Sequence, residues 1–155
     1  MARSVVLFLK AGLAWLVLGV TLGVSMAVHP PLLAWRTAHI HMLLVGFVTG
    51  MIFGVGYHVF PRFAGRPLRH PSLTIPHWWL SNGGVAALAS GFVLRAEGVA
   101  WGPAVLTAGG AAAALGAYLF AWNVWLTIGA AGSLPHTIGS PTLPMAHRTR
   151  ASMHP

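Results

Sequence analysis

Four apolar stretches, at about 5–28, 40–60, 78–94 and 101–128, take up most of this 155-residue chain. Each reaches or approaches the roughly 20 residues a helix needs to cross about 30 Å of hydrocarbon. In lipid, backbone N–H and C=O groups must be paired within the segment, so runs of this kind are read as helices. The punctuation between them agrees: His29-Pro30-Pro31 stops the first, Pro61 the second, Pro71 and Pro76 break the next connection, and Arg95-Ala96-Glu97-Gly98 makes a short turn. The expected fold is an all-α membrane protein, an antiparallel four-transmembrane-helix bundle at 1–131 followed by a tail at 132–155. A rival reading takes Ser25-Met26-Ala27 as a signal-peptide cleavage site. The apolar run before it is longer than the about 7–15 residues of a signal peptide, which favours a true span.

Charge sets both the class and the orientation. Only 6% of the residues are charged, against about 25% in soluble domains. Glu97 is the single acid, so paired-carboxylate chemistry has no material here. Cysteine is absent, which removes disulfides, thiolate metal sites, iron–sulfur clusters and covalent haem attachment. There is no P-loop, GxGxxG, HExxH or nucleophile elbow. The net charge of +8 lies in loops beside apolar spans, where it fixes membrane orientation and does not signal nucleic acid. Arg3, Lys10, Arg62, Arg66, Arg69, Arg148 and Arg150 outweigh Arg36 and Arg95 on the other side. Both termini are therefore expected in the cytoplasm, in a multi-pass protein of the cytoplasmic (inner) membrane. Lys10 snorkels to that face, and most of the seven tryptophans read as interfacial anchors.

Histidine carries the chemistry. There are nine, and one within a span is costly unless paired, hydrated or ligated. The topology puts His29, His39 and His41 at the outer surface and His58, His70 and His77 at the inner one. His136, His147 and His154 fall in the Pro/Ser/Thr-rich tail, read as a flexible extension whose Met145, His147, Met153 and His154 offer weak copper ligands. His39 and His41 lie about 200° apart on a helix, so both cannot bind one metal from a regular turn. At about 100° per residue, His39 shares a face with Gly46, Gly50 and Tyr57, and His41 with Val45, Val48, Ile52 and Val59. Gly46, Gly50 and Gly54 form successive GxxxG steps; Gly19 with Gly23, and Gly83 with Ala87 and Gly91, extend the theme. Such faces either pack helices or leave a groove for a flat prosthetic group. His29 can meet His39 or His41 across a connection of about ten residues, and His58 can meet His77 across the basic loop. The two clusters are about 28 Å apart along the helix and cannot share a metal.

The run HIHMLLVGFVTGMIFGVGYHVFPRFAGRPL, followed by HWWLSNGG, resembles the second and third helices of subunit I in the haem-copper oxidase and nitric oxide reductase superfamily. In that family the second helix opens on the outer side with an axial histidine of the low-spin haem and ends in a Phe-Pro-Arg segment. His39 or His41, Gly54, Gly56, Phe60, Pro61 and Arg62 match that order over what corresponds to the first four helices of a longer subunit. The family's second low-spin ligand, its high-spin ligand and its copper histidines come from later helices, and this chain has no counterpart of them. The resemblance implies a small membrane protein binding haem b non-covalently, without the family's oxygen or nitric oxide reduction. The candidate cofactor-binding residues are His39, His41, His29, Gly46, Gly50 and Gly54, and the candidate metal ligands are His41, His39, His29, His58 and His77. Electron transfer or binding of a diatomic gas is the expected role, with membrane lipid, a homo-oligomer supplying a further ligand and a respiratory electron-transfer partner as its surroundings. The alternatives are a haem-free copper-handling or assembly protein and an accessory subunit of a respiratory oxidase.

Overall fold

The computed structural model describes residues 3–129. The expected tail at 132–155, with its histidines and methionines, lies outside the described residues. Four helices fill the described part, and no strand occurs in it: α1 (Arg3–Val28), α2 (Pro30–Phe63), α3 (Thr74–Ala96) and α4 (Gly102–Gly129). Three of them, α1, α2 and α4, are long and apolar enough to cross a membrane. The 23 residues of α3 also suffice in length, but Thr74, His77 and Ser81 lower its hydropathy. All three are buried in the protein interior.

The connections follow from proline and glycine. His29 ends α1, but Pro30 and Pro31 do not open a loop. They sit at the first positions of a 3-10 turn, Pro30–Trp35, that runs straight into α2. A proline ring has no N–H to lose at a helix start, and its fixed φ suits one. The ten-residue connection expected between His29 and His39 is thus itself helical. Pro61 does not stop α2 either, because so near the end it removes one hydrogen bond and the helix continues to Phe63. Termination falls to Gly65 at φ 62°, where Arg66 N–H donates to Pro61 O (3.0 Å) and Gly65 N–H to Arg62 O (3.1 Å). This is the glycine-capped helix end that satisfies otherwise orphaned carbonyls. Gly98, at φ 73°, closes α3 in the same way, with Val99 N–H donating to Leu94 O at 2.9 Å.

Helix packing is set by small residues every seventh position. Gly102, Gly109, Gly116 and Asn123 line the buried row of α4, and His77, Gly84 and Gly91 that of α3. A Cβ on Gly84 would stand 2.5 Å from Ala113 N, and one on Gly102 2.7 Å from Arg95 N, so the two antiparallel backbones touch. On α1 the sevenfold row is Val5, Gly12, Gly19 and Met26. It receives Met51 and Leu43 from α2, and Gly23 beside it receives His39, while Gly46 receives Trp15 and Gly54 receives Phe8 and Leu9. The glycine face of α2 is therefore occupied by α1. Gly83 meets nothing within 4 Å, and the contact on α3 passes through Gly84.

Polar ties close both ends. Trp35 Nε1–H donates to Glu97 Oε1 (2.7 Å), joining the α1–α2 corner to the α3–α4 turn. At the basic end, Asn123 clamps the 64–73 connection: its Oδ1 accepts from His70 N–H (3.1 Å) and its Nδ2 donates to His70 O (2.9 Å). Gly84→Ala should destabilise the protein by about 1–3 kcal/mol through overpacking against backbone. Gly83→Ala, one position away and open, should be neutral or stabilising by up to about 1 kcal/mol. Thermal unfolding of both variants in detergent measures the difference.

Candidate functional site

The N-terminal end of α2 holds the first candidate site. His39 and His41 lie two residues apart on this helix and point to different neighbours, as that spacing requires. His39 is half-buried between α1 and α2, its ring over Gly23, and its Nδ1–H donates to the Gly19 carbonyl at 2.8 Å. His41 is half-buried against α3, with its ring centroid 4.7 Å from that of Phe92, and its Nδ1–H donates to the Thr37 carbonyl at 2.8 Å. A carbonyl can only accept, so the proton of each neutral ring is fixed on Nδ1 and each Nε2 keeps its lone pair. This is the arrangement by which proteins present a histidine to a metal. Neither Nε2 has a hydrogen-bond partner among the described residues, and neither is sealed from the surface. Further along α2, Leu44, Val48 and Ile52 are exposed apolar residues.

The remaining candidates do not gather around this pair. His29 is exposed at the end of α1. His58 accepts from the Arg62 guanidinium at the opposite end. Among the described residues no three or more of His, Cys, Asp and Glu are grouped to hold a metal ion. Phase beyond the pair departs from an ideal helix because Met42–Thr49 is a π-helical segment. The Thr49 hydroxyl donates to Leu44 O, five residues back, at 2.8 Å. Gly46 and Gly50 still face α1 with His39, but Tyr57 is turned toward α3 and α4.

The second site is His77, which has no exposed surface. It does not meet His58. Its Nδ1 shares a 2.9 Å hydrogen bond with the Tyr57 hydroxyl, inside a box of Phe8, Phe53, Tyr57 and Phe120 rings. Its Nε2 is buried without a partner, as is the hydroxyl of Ser81 one turn on. Beside Ser81 a cavity of about 40 Å³ is bounded by Phe8, Gly50, Phe53 and Asn82. That is room for one or two waters, the ordinary way to satisfy such groups. Asn82 accepts from Trp15 Nε1–H at 3.0 Å, tying α3 to α1. None of this interior has space for a porphyrin, and the Nε2 atoms of His39 and His41 lie instead at the bundle's edge.

Sequence reasoning placed the paired histidines on one helix but missed the Tyr57–His77 pair and the π segment. The legible clue to the interior was polar residues within apolar spans: both asparagines of the chain, Asn82 and Asn123, sit there and both are fully used. Tyr57→Phe should cost about 1–3 kcal/mol, since it leaves a second buried ring nitrogen unpaired. The Tyr57→Phe/His77→Leu double variant should be less destabilised than the sum of its single variants. Chemical or thermal unfolding of the four proteins of that cycle tests the pairing. No protein family, curated protein or solved structure matches this chain.

Proposed function

We propose that this chain is a four-span protein of the cytoplasmic membrane that binds haem b non-covalently at the outer end of α2, in electron transfer or diatomic gas binding. The reading is carried by one observation: the Nδ1–H groups of His39 and His41 are committed to main-chain carbonyls, leaving both Nε2 atoms as oriented, neutral ligand nitrogens. His41 and His39 are both candidate ligands, and the exposed apolar residues Leu44, Val48 and Ile52 on the same helix would suit a porphyrin edge. Bound there, haem supplies reversible one-electron chemistry or an open coordination position.

The protein's own contribution is orientation and dielectric. The carbonyl bonds hold each imidazole in one tautomer and raise its basicity as a ligand. Phe92 limits rotation of the His41 ring on one side. The wider topology is supported by the excess of Lys and Arg at the end carrying Arg3 and the 64–73 connection, the charge bias of a cytoplasmic face. It is also supported by α3 turning Thr74, His77 and Ser81 inward while Trp79 faces outward. A second axial ligand comes from a neighbouring copy in this reading. The GxxxG faces of α1 and α2 are spent within the chain, so that copy meets the exposed apolar face of α2.

The absorption spectrum of protein produced with haem supplied decides the matter. A Soret band with sharp α and β bands on reduction is expected. Absence of a Soret band sinks the reading, and bound copper in elemental analysis would move it to copper handling. One of His41→Ala and His39→Ala should abolish or convert the six-coordinate spectrum. If neither His41→Ala nor His39→Ala changes it, the ligand assignment fails.

A further inference from the structure

The basic end of the bundle carries cations that no acidic side chain among the described residues neutralises. Arg3, Arg62, Arg66 and Arg69 lie there, while the single acid, Glu97, is bonded to Trp35 at the opposite end. Two grooves open among these cations, and Leu68 lines both. The larger, about 470 Å³, runs between α1 and α3, with Arg3 and Ser4 as its polar part and Leu7, Ile75 and Trp79 as apolar walls. The smaller, about 290 Å³, lies between the 64–73 connection and α4, with Arg66 and Arg69 on its rim beside Leu126. Among the described residues Arg66 Nη1 is buried and has no hydrogen-bond partner. A charged donor in that state is costly until an anion meets it.

Charge complementarity and shape together name the occupant. An anion is required at the arginines, and apolar walls continue from them onto Trp79 and Ile75, which are 67% and 37% exposed on the outer surface of the bundle. A free phosphate satisfies the first requirement and leaves the apolar walls empty. We infer that the paired grooves bind one anionic glycerophospholipid, with its phosphate held by Arg66, Arg69 and Arg3 and an acyl chain along Leu7, Ile75 and Trp79. Arginine suits this role through its planar fork of donors, and basic pockets at the ends of transmembrane helices are where such head groups are held. The site is independent of haem and stands at the other end of α2 from His39 and His41.

Native mass spectrometry of the full chain in detergent, titrated with phosphatidylglycerol or phosphatidylcholine, tests the proposal. One retained phosphatidylglycerol per chain is expected, at clear excess over phosphatidylcholine, with binding falling as salt rises. Arg66→Gln and Arg69→Gln should each weaken it about fivefold, whereas Arg95→Gln, at the far end, should leave it unchanged. Equal retention of both lipids overturns the proposal. So does an equal loss in Arg95→Gln, which would indicate diffuse attraction, or full displacement by millimolar inorganic phosphate, which would assign the site to the free ion. The lipid preference and salt dependence of the unmodified chain settle the case even if a variant fails to fold.

Discussion

Backbone meeting backbone along sevenfold rows of small residues is the contact from which the rest of this structure follows. In a bilayer no hydrophobic force draws helices together, so association depends on close packing and on hydrogen bonds between them. Glycine at Gly84, Gly91, Gly102 and Gly109 removes the side chain that would hold α3 and α4 apart. The seven-residue step returns a helix to within about 20° of the same face, so each row stays on its partner over the full length. With the backbones so close, the next positions of the same rows, His77 on α3 and Asn123 on α4, are carried into the interior at the basic end. Their polarity is then an obligation that Tyr57 and the His70 main chain meet.

Most of the helices were legible from apolar length alone, because lipid leaves the chain few alternatives. The spans read at 5–28, 78–94 and 101–128 correspond to Arg3–Val28, Thr74–Ala96 and Gly102–Gly129. The start of α2 was not legible, because a Pro-Pro pair breaks a helix before it and equally starts the one after it. The packing row on α3 was missed for a reason of period. Gly83, Ala87 and Gly91 follow a four-residue step that drifts about 40° each time, and the true row steps by seven through Gly84.

The histidines show the same division between local and distant information. Opposed directions for His39 and His41 follow from spacing, and the structure has them on α1 and α3 respectively. The acceptors that fix their tautomers are main-chain carbonyls, invisible to any reading of residue types. His77 was read as an interfacial residue near His58. Its burial depends on where Phe8, Phe53 and Phe120 come together from three different helices, which no single span encodes.

The π segment at Met42–Thr49 separates α2 into two stretches with independent angular settings. An α-helix turns about 100° per residue, so removing one residue from the segment could restore ordinary pitch while rotating Arg36–His41 relative to Gly50–Phe63. Such a deletion need not break the helix. The histidine end and the aromatic end of α2 are thus joined by a stretch whose length, more than its side chains, sets their relative rotation. Eight residues of wider helix thus set the rotation between the half-buried histidines and the packed aromatic core.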